Sequence, residues 1–142
     1  MHAEVRTQGC RMFTVSSCNA QATLFARAYT SHPAEYPLSG LKPIALDAWY
    51  EQVITGRNSF IANTPAEFET LFFDHALITS LGLGSAMNIP IFDSTVGPFL
   101  GCINLLAGAQ HFTAQRAAIY HDRARAHHAA LVQALRLAQT QA

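Results

Sequence analysis

The stretch from Ser85 to Ala107 constrains the fold more than any other part of the chain. It holds two apolar runs, SAMNIPIFD at 85–93 and PFLGCINLLA at 98–107, joined by Ser94-Thr95-Val96-Gly97. Short runs rich in β-branched and aromatic residues around a turn-forming link read as a β-hairpin. The link suits a three-residue loop with Gly97 in the left-handed region. In that register Ser94 pairs with Pro98, and Asn88 falls opposite Asn104 on one face of the sheet. A slip of one residue would send the two amides to opposite faces.

The rest of the chain supplies elements that such a hairpin can pack against. RMFTVSS at 11–17 and ATLFARAYT at 22–30 flank the turn-prone Cys18-Asn19-Ala20-Gln21 and read as a second hairpin. The proline-rich SHPAEYPLSGLKP at 31–43 predicts an extended path that excludes helix. A short helix follows, with Asp47 as N-cap, Trp49 and Val53 on its apolar side, and Gly56 as terminator. NSFIA at 58–62 reads as a strand. Thr64-Pro65-Ala66-Glu67 opens the next helix, with proline at the first position and Glu67 able to close a capping box. A further short helix over 74–81 ends at Gly82. From Thr113 one long helix is expected to run nearly to the end. The order β-β-α-β-α-α-β-β-α, with strands joined by hairpins, predicts an α+β fold, a central antiparallel sheet flanked by helices.

Composition narrows the function. Of 142 residues, 50% are hydrophobic and 13% charged, against a usual charged share of about 25%. So little charge predicts an apolar surface covered by a second copy of the chain, a homodimer. Nine Lys and Arg balance nine Asp and Glu, which argues against nucleic acid and an anionic membrane surface as partners. No apolar run is long enough to span a bilayer, and residues 1–10 lack the apolar core of a signal peptide. Cys10, Cys18 and Cys102 are odd in number and irregularly spaced, which fits a reducing compartment. A cytoplasmic protein of one domain over 1–142 is expected.

Two segments carry a family resemblance. Ser80-Leu81-Gly82-Leu83-Gly84-Ser85-Ala86-Met87-Asn88-Ile89-Pro90-Ile91 and Leu100-Gly101-Cys102-Ile103-Asn104-Leu105-Leu106 resemble the paired late strands of GAF domains. Tyr36-Pro37-Leu38 and Arg57-Asn58-Ser59-Phe60-Ile61 fall where that family places comparable segments, so the resemblance covers about residues 11–112. It implies a central sheet with terminal helices on one face and a pocket on the other, used to sense a small molecule. Cyclic nucleotides, tetrapyrroles, haem and small metabolites are the ligands it implies. Two departures stand out: the family's leading helix is largely missing before Arg11, and no output domain follows. Signal is therefore expected to leave by dimerisation or through an output protein on another chain. Neither a cyclic-nucleotide signature nor a metal-ligand spacing is present, so the ligand's identity is open.

The candidate ligand contacts are Tyr36, Asp74, His75, Asn88 and Asn104. Two amides on one face can orient a ligand by donating and accepting together. Their structural alternative is to tie down neighbouring backbone. Asp74-His75 lies where a pocket of this kind is lidded, and its structural alternative is a helix cap at Asp74. Tyr29, His32, Tyr36, Trp49 and Phe60 form a candidate aromatic lining or a plain core. Gly82-Leu83-Gly84 reads as a turn, because a phosphate loop needs the strand before it and the helix after it. In the last helix Tyr120, Ala124, His128, Leu131 and Leu135 are spaced by threes and fours, a packing seam assigned to dimerisation across 113–142. A small thiol-dependent enzyme, similar to the GAF proteins that reduce free methionine sulfoxide, is the alternative function. A regulatory dimer whose pocket is filled by its own side chains is another.

Overall fold

Six strands among the described residues form one antiparallel sheet: β1 (Met12–Cys18), β2 (Leu24–Thr30), β3 (Leu41–Pro43), β4 (Phe60–Ala62), β5 (Ser85–Phe92) and β6 (Phe99–Ala107). Their order across the sheet is β3-β2-β1-β6-β5-β4. This computed structural model describes residues 1–38 and 41–140. Residues 39–40 of the proline-rich stretch and 141–142 of the expected C-terminal helix lie outside the described residues.

The predicted hairpins form, and the α+β reading holds. Three elements differ from expectation. A helix, α1 (His2–Thr7), precedes the sheet. The end of the proline-rich stretch forms β3, which pairs Leu41–Pro43 with Leu24–Ala26 along the outer edge of β2. The long terminal helix is two, α5 (Ala114–Ala126) and α6 (His128–Thr140), parted at His127. That break is pinned from outside the helix. Glu4 of α1 meets Arg123 at 3.0 Å and His127 at 2.6 Å.

Both faces of the central strands are covered, which is why 99–107 reads as an almost unbroken apolar run. On one face Phe13, Val15, Ile89, Ile103 and Leu105 pack against Ala117, Tyr120 and Ala124 of α5 and Val132 and Leu135 of α6. On the other, Met12, Ala86 and Leu106 pack under Val53, Phe68 and Ile78. The covering elements there are α2 (Ala48–Tyr50), which widens into a π-helical turn at Glu51–Thr55, then α3 (Pro65–Phe68) and α4 (His75–Ser80). Asp47 caps α2, its side chain accepting from the Tyr50 amide at 2.9 Å. Gly82, at φ +76°, ends α4 as expected. Its amide donates to Thr79 O and that of Leu83 to Ile78 O, the paired bonds of a Schellman turn.

The expected loop of the late hairpin is corrected in detail. Asp93 N donates to Pro98 O and closes a four-residue loop, and Gly97 is not in the left-handed region. Arg57 holds that loop instead, donating to Gly97 O at 3.0 Å and Ser94 O at 2.6 Å with its guanidinium stacked over Phe92. A bulge places Phe92 opposite Phe99 but Ile91 opposite Gly101, so Leu100 is the extra residue. One extra residue in the loop and one in the strand cancel, and Asn88 pairs with Asn104 after all.

The Glu4 contacts carry a pH signature. Hydrogen bonds from Arg123 and then His127 hold its carboxyl down to about 2 from an ordinary 4.5. A lowered folded-state pKa gives stability that is complete above the ordinary value and is lost as pH falls through the folded one. The stability difference between wild type and Glu4→Gln, from urea melts, should therefore shrink between about pH 5 and pH 2. A difference that stays constant over that range would show that these bonds do not stabilise the fold.

Candidate ligand-binding site

Between the sheet and its covering layer of α2, α3 and α4 lies a cavity of about 360 Å³. Its floor is the face of β1, β2, β5 and β6 that carries the polar residues of otherwise apolar strands: Thr14, Ser16, Asn88 and Asn104. Alternation puts Thr14 and Ser16 on one side of β1, and the β1–β6 register sets Thr14 directly opposite Asn104.

These side chains form a relay with a fixed direction. The Trp49 Nε1–H donates to Asn88 Oδ1 at 2.9 Å. Asn88 Nδ2 donates to Asn104 Oδ1 at 3.0 Å, and Asn104 Nδ2 donates to both Thr14 Oγ1 and Ser16 Oγ at 3.1 Å. An indole nitrogen can only donate, so Asn88 must present its oxygen to Trp49, and every later amide orientation follows from that. The relay ends on two hydroxyls that act as acceptors within it.

The wall is mostly apolar, with Met12, Phe25, Ile44, Leu71, Phe72 and Leu106 among its residues. Tyr36 and Asp74 close one side. The Tyr36 hydroxyl donates to Asp74 Oδ2 at 2.6 Å, joining the proline-rich segment to the start of α4. Burial, and then the Asp74 carboxylate, push the Tyr36 hydroxyl well above its ordinary range, so it stays a donor. Arg27 braces the same segment, with its guanidinium 4.9 Å over the Tyr36 ring and Nη1 donating to Pro37 O at 2.8 Å.

Of the five expected contacts, Tyr36, Asp74, Asn88 and Asn104 line this cavity and His75 does not. The cap reading of Asp74 is corrected: its side chain makes no capping bond at α4, because the carboxylate is turned to Tyr36. Among the aromatic candidates Tyr36 and Trp49 line the cavity, and Phe60 is packed in the core beneath the helices. Tyr29 stands on the opposite face, against His2 and Phe13. A bulge explains it. Val15 pairs with Tyr29 but Ser16 with Arg27, so the extra residue Ala28 sends Tyr29 to one face and Arg27 and Phe25 to the other.

Thr14, Ser16, Arg27 and Lys42 were not singled out from sequence. A polar pair at i, i+2 within an apolar strand was the available signal for the first two. Nothing local reveals that they meet Asn104, about ninety residues on.

The terminal seam turns inward. Tyr120, Ala124 and Leu135 are in the core against the chain's own sheet, Leu131 packs partly buried against it, and His128 is exposed. The three thiols are buried as well. Burial raises all of them, Cys10 to about 11, opposite to the lowered pKa of a reactive thiol. Among the described residues no group of three or more His, Cys, Asp or Glu side chains is placed to hold a metal, and no helix is long and apolar enough to cross a membrane.

No protein-family model and no curated protein matches the chain. Solved structures do. The GAF domain of a two-component sensor histidine kinase from Bacillus halodurans aligns with TM-score 0.68 at 12% identity, covering 96% of each chain. The chain has the GAF-domain fold. The GAF domain/HD domain protein of Geobacter sulfurreducens aligns with TM-score 0.68 at 17% identity, over 95% of this chain and 88% of that one. The second GAF domain of DevS from Mycobacterium smegmatis gives 0.60 at 19% identity, over 98% and 90%. These identities carry the fold and not the ligand. Within the GAF fold, the terminal helices cover one sheet face and the cavity lies on the other.

Proposed function

We propose that this GAF domain is a small-ligand-binding regulatory module whose ligand occupies the cavity over Asn88 and Asn104. The relay from Trp49 to Thr14 and Ser16 carries this reading. A buried polar chain that served packing alone would end on backbone groups, whereas this one ends on hydroxyls at the floor of an open, largely apolar space. Tyr36 and Asp74 form the side wall through which binding would be felt by the covering layer. The buried thiols and the open cavity argue against the reductase and the filled-pocket alternatives respectively. A second copy, where it forms, would meet the outward faces of α5 and α6, because the inward seam is occupied by the chain's own sheet.

Trp49 is the single tryptophan, and its indole is part of the relay. Native mass spectrometry of freshly purified protein should show a bound small molecule, and its removal should shift Trp49 emission. Asn104→Ala should weaken rebinding about tenfold or more, since it breaks the relay at its branch and leaves Asn88 Nδ2 without a partner. Unchanged affinity in that variant would place the ligand elsewhere.

A further inference from the structure

The same cavity specifies the chemistry of its ligand, an inference that rests on the reading just given. Because the Trp49 indole orients the whole relay, Thr14 Oγ1 and Ser16 Oγ each accept from Asn104 and keep a hydroxyl proton. Among the described residues neither hydroxyl donates to any group. A ligand that displaces water from the floor must offer acceptors there, or it strands two donors in a dry site.

Two cationic side chains rise from the same half of the floor. Ser16 faces Arg27 across the β1–β2 register, and Phe25 faces Lys42 across β2–β3. Both cations line the cavity. Arg27 is committed to Pro37 O and the Tyr36 ring. Lys42 rests its ammonium 4.9 Å over the Phe73 ring and makes no ion pair among the described residues.

The carboxylates of the cavity belong to the opposite, covering side. Asp47 accepts from the Tyr50 amide and Asp74 from the Tyr36 hydroxyl, while Glu35 is exposed at the rim. The hydroxyl donors thus lie at the sheet, and the two carboxylates of the covering side, Asp47 and Asp74, are already hydrogen-bonded. Between them the wall is aromatic and aliphatic, and the space holds about a dozen water-sized groups.

We infer that the cavity takes a small monocarboxylic acid with an apolar or aromatic body, its carboxylate received by the Thr14 and Ser16 hydroxyls and the Lys42 ammonium. The body lies against Phe25, Phe72 and Leu106. A carboxylate satisfies two donors and one cation together, whereas an ammonium offers no acceptor to the hydroxyls and sets a further cation beside Lys42.

The test is a fragment panel of acids of roughly a dozen non-hydrogen atoms, each with its matching primary amide and amine. Binding is read by Trp49 emission and calorimetry on the full chain. Acids should bind at least tenfold more tightly than their amides, and amines should not bind. Lys42→Met should weaken the acids about tenfold and leave the amides unchanged, with an unaltered melting curve showing that the edge strand still folds. Amides or amines binding as well as acids, or acids indifferent to Lys42→Met, would overturn the carboxylate inference. If those hits are still weakened by Asn104→Ala, the cavity reading stands without it. Absence of any hit across all three head groups would overturn both.

Discussion

Replacing Gly101 with alanine is expected to destabilise the protein by about 3 kcal/mol, the upper part of the range for overpacking a filled core. A Cβ at this position would stand 2.1 Å from the carbonyl oxygen of Ser16 and 3.1 Å from its carbonyl carbon. It would also lie 3.2 Å from Leu135 Cδ2, but that side chain can turn aside. The Ser16 backbone cannot, because it is held in β1 at the centre of the sheet, between β2 and β6. Relief requires β1 and β6 to separate locally, which breaks the pairing that joins the two halves of the sheet. For a domain of this size the loss corresponds to a drop of roughly 10 °C in Tm. Gly108 is the matched control, since a Cβ there meets nothing within 4 Å; Gly108→Ala should stay within about 0.5 kcal/mol of wild type. A Gly101→Ala protein that melts with wild type would mean the strands are further apart than described. The variant also moves the residue that carries a cavity hydroxyl, so ligand affinity should fall with stability.

Leu135→Ala should cost a similar amount, about 3 kcal/mol, and its concentration dependence decides what the terminal seam is for. Leu135 is 1% exposed and packs with Val15, Ile89 and Leu100 in the core under α6. Truncation removes buried methyl groups and leaves a cavity between helix and sheet, for which Leu→Ala costs about 2–5 kcal/mol. If Leu135 serves this intrachain contact, the loss in urea melts is the same at micromolar and at hundredfold higher protein concentration. If it sat at a subunit interface, mass action would make the loss grow with concentration. The first result is expected, because α6 lies on β1, β5 and β6 of its own chain.

The limits of sequence reasoning show at particular residues. The pairing of Asn88 with Asn104 was legible, yet for a reason that was only half right. The loop is longer than expected, and the bulge at Leu100 restores the register. The same kind of irregularity at Ala28 defeated the aromatic grouping, sending Tyr29 to the helix face. Period-two alternation assigns faces only between bulges, and a bulge leaves no strong local mark in the sequence. Asp74 was recognised as a residue with a task, but a cap acts on the adjacent backbone whereas its partner, Tyr36, lies 38 residues away.

What the sequence determined by itself is local. Asp47 caps a helix, Gly82 ends one, and Ser85–Ala107 makes a hairpin, because each depends on backbone chemistry within a few residues. The tertiary structure decided what those pieces enclose. It set β1 beside β6, so that Thr14 and Ser16 meet Asn104, and it folded α6 back onto the sheet at a break held by Glu4. Such choices come from burying both faces of one sheet at once. That is a sum over contacts distant in the chain, and no short window of residues contains it.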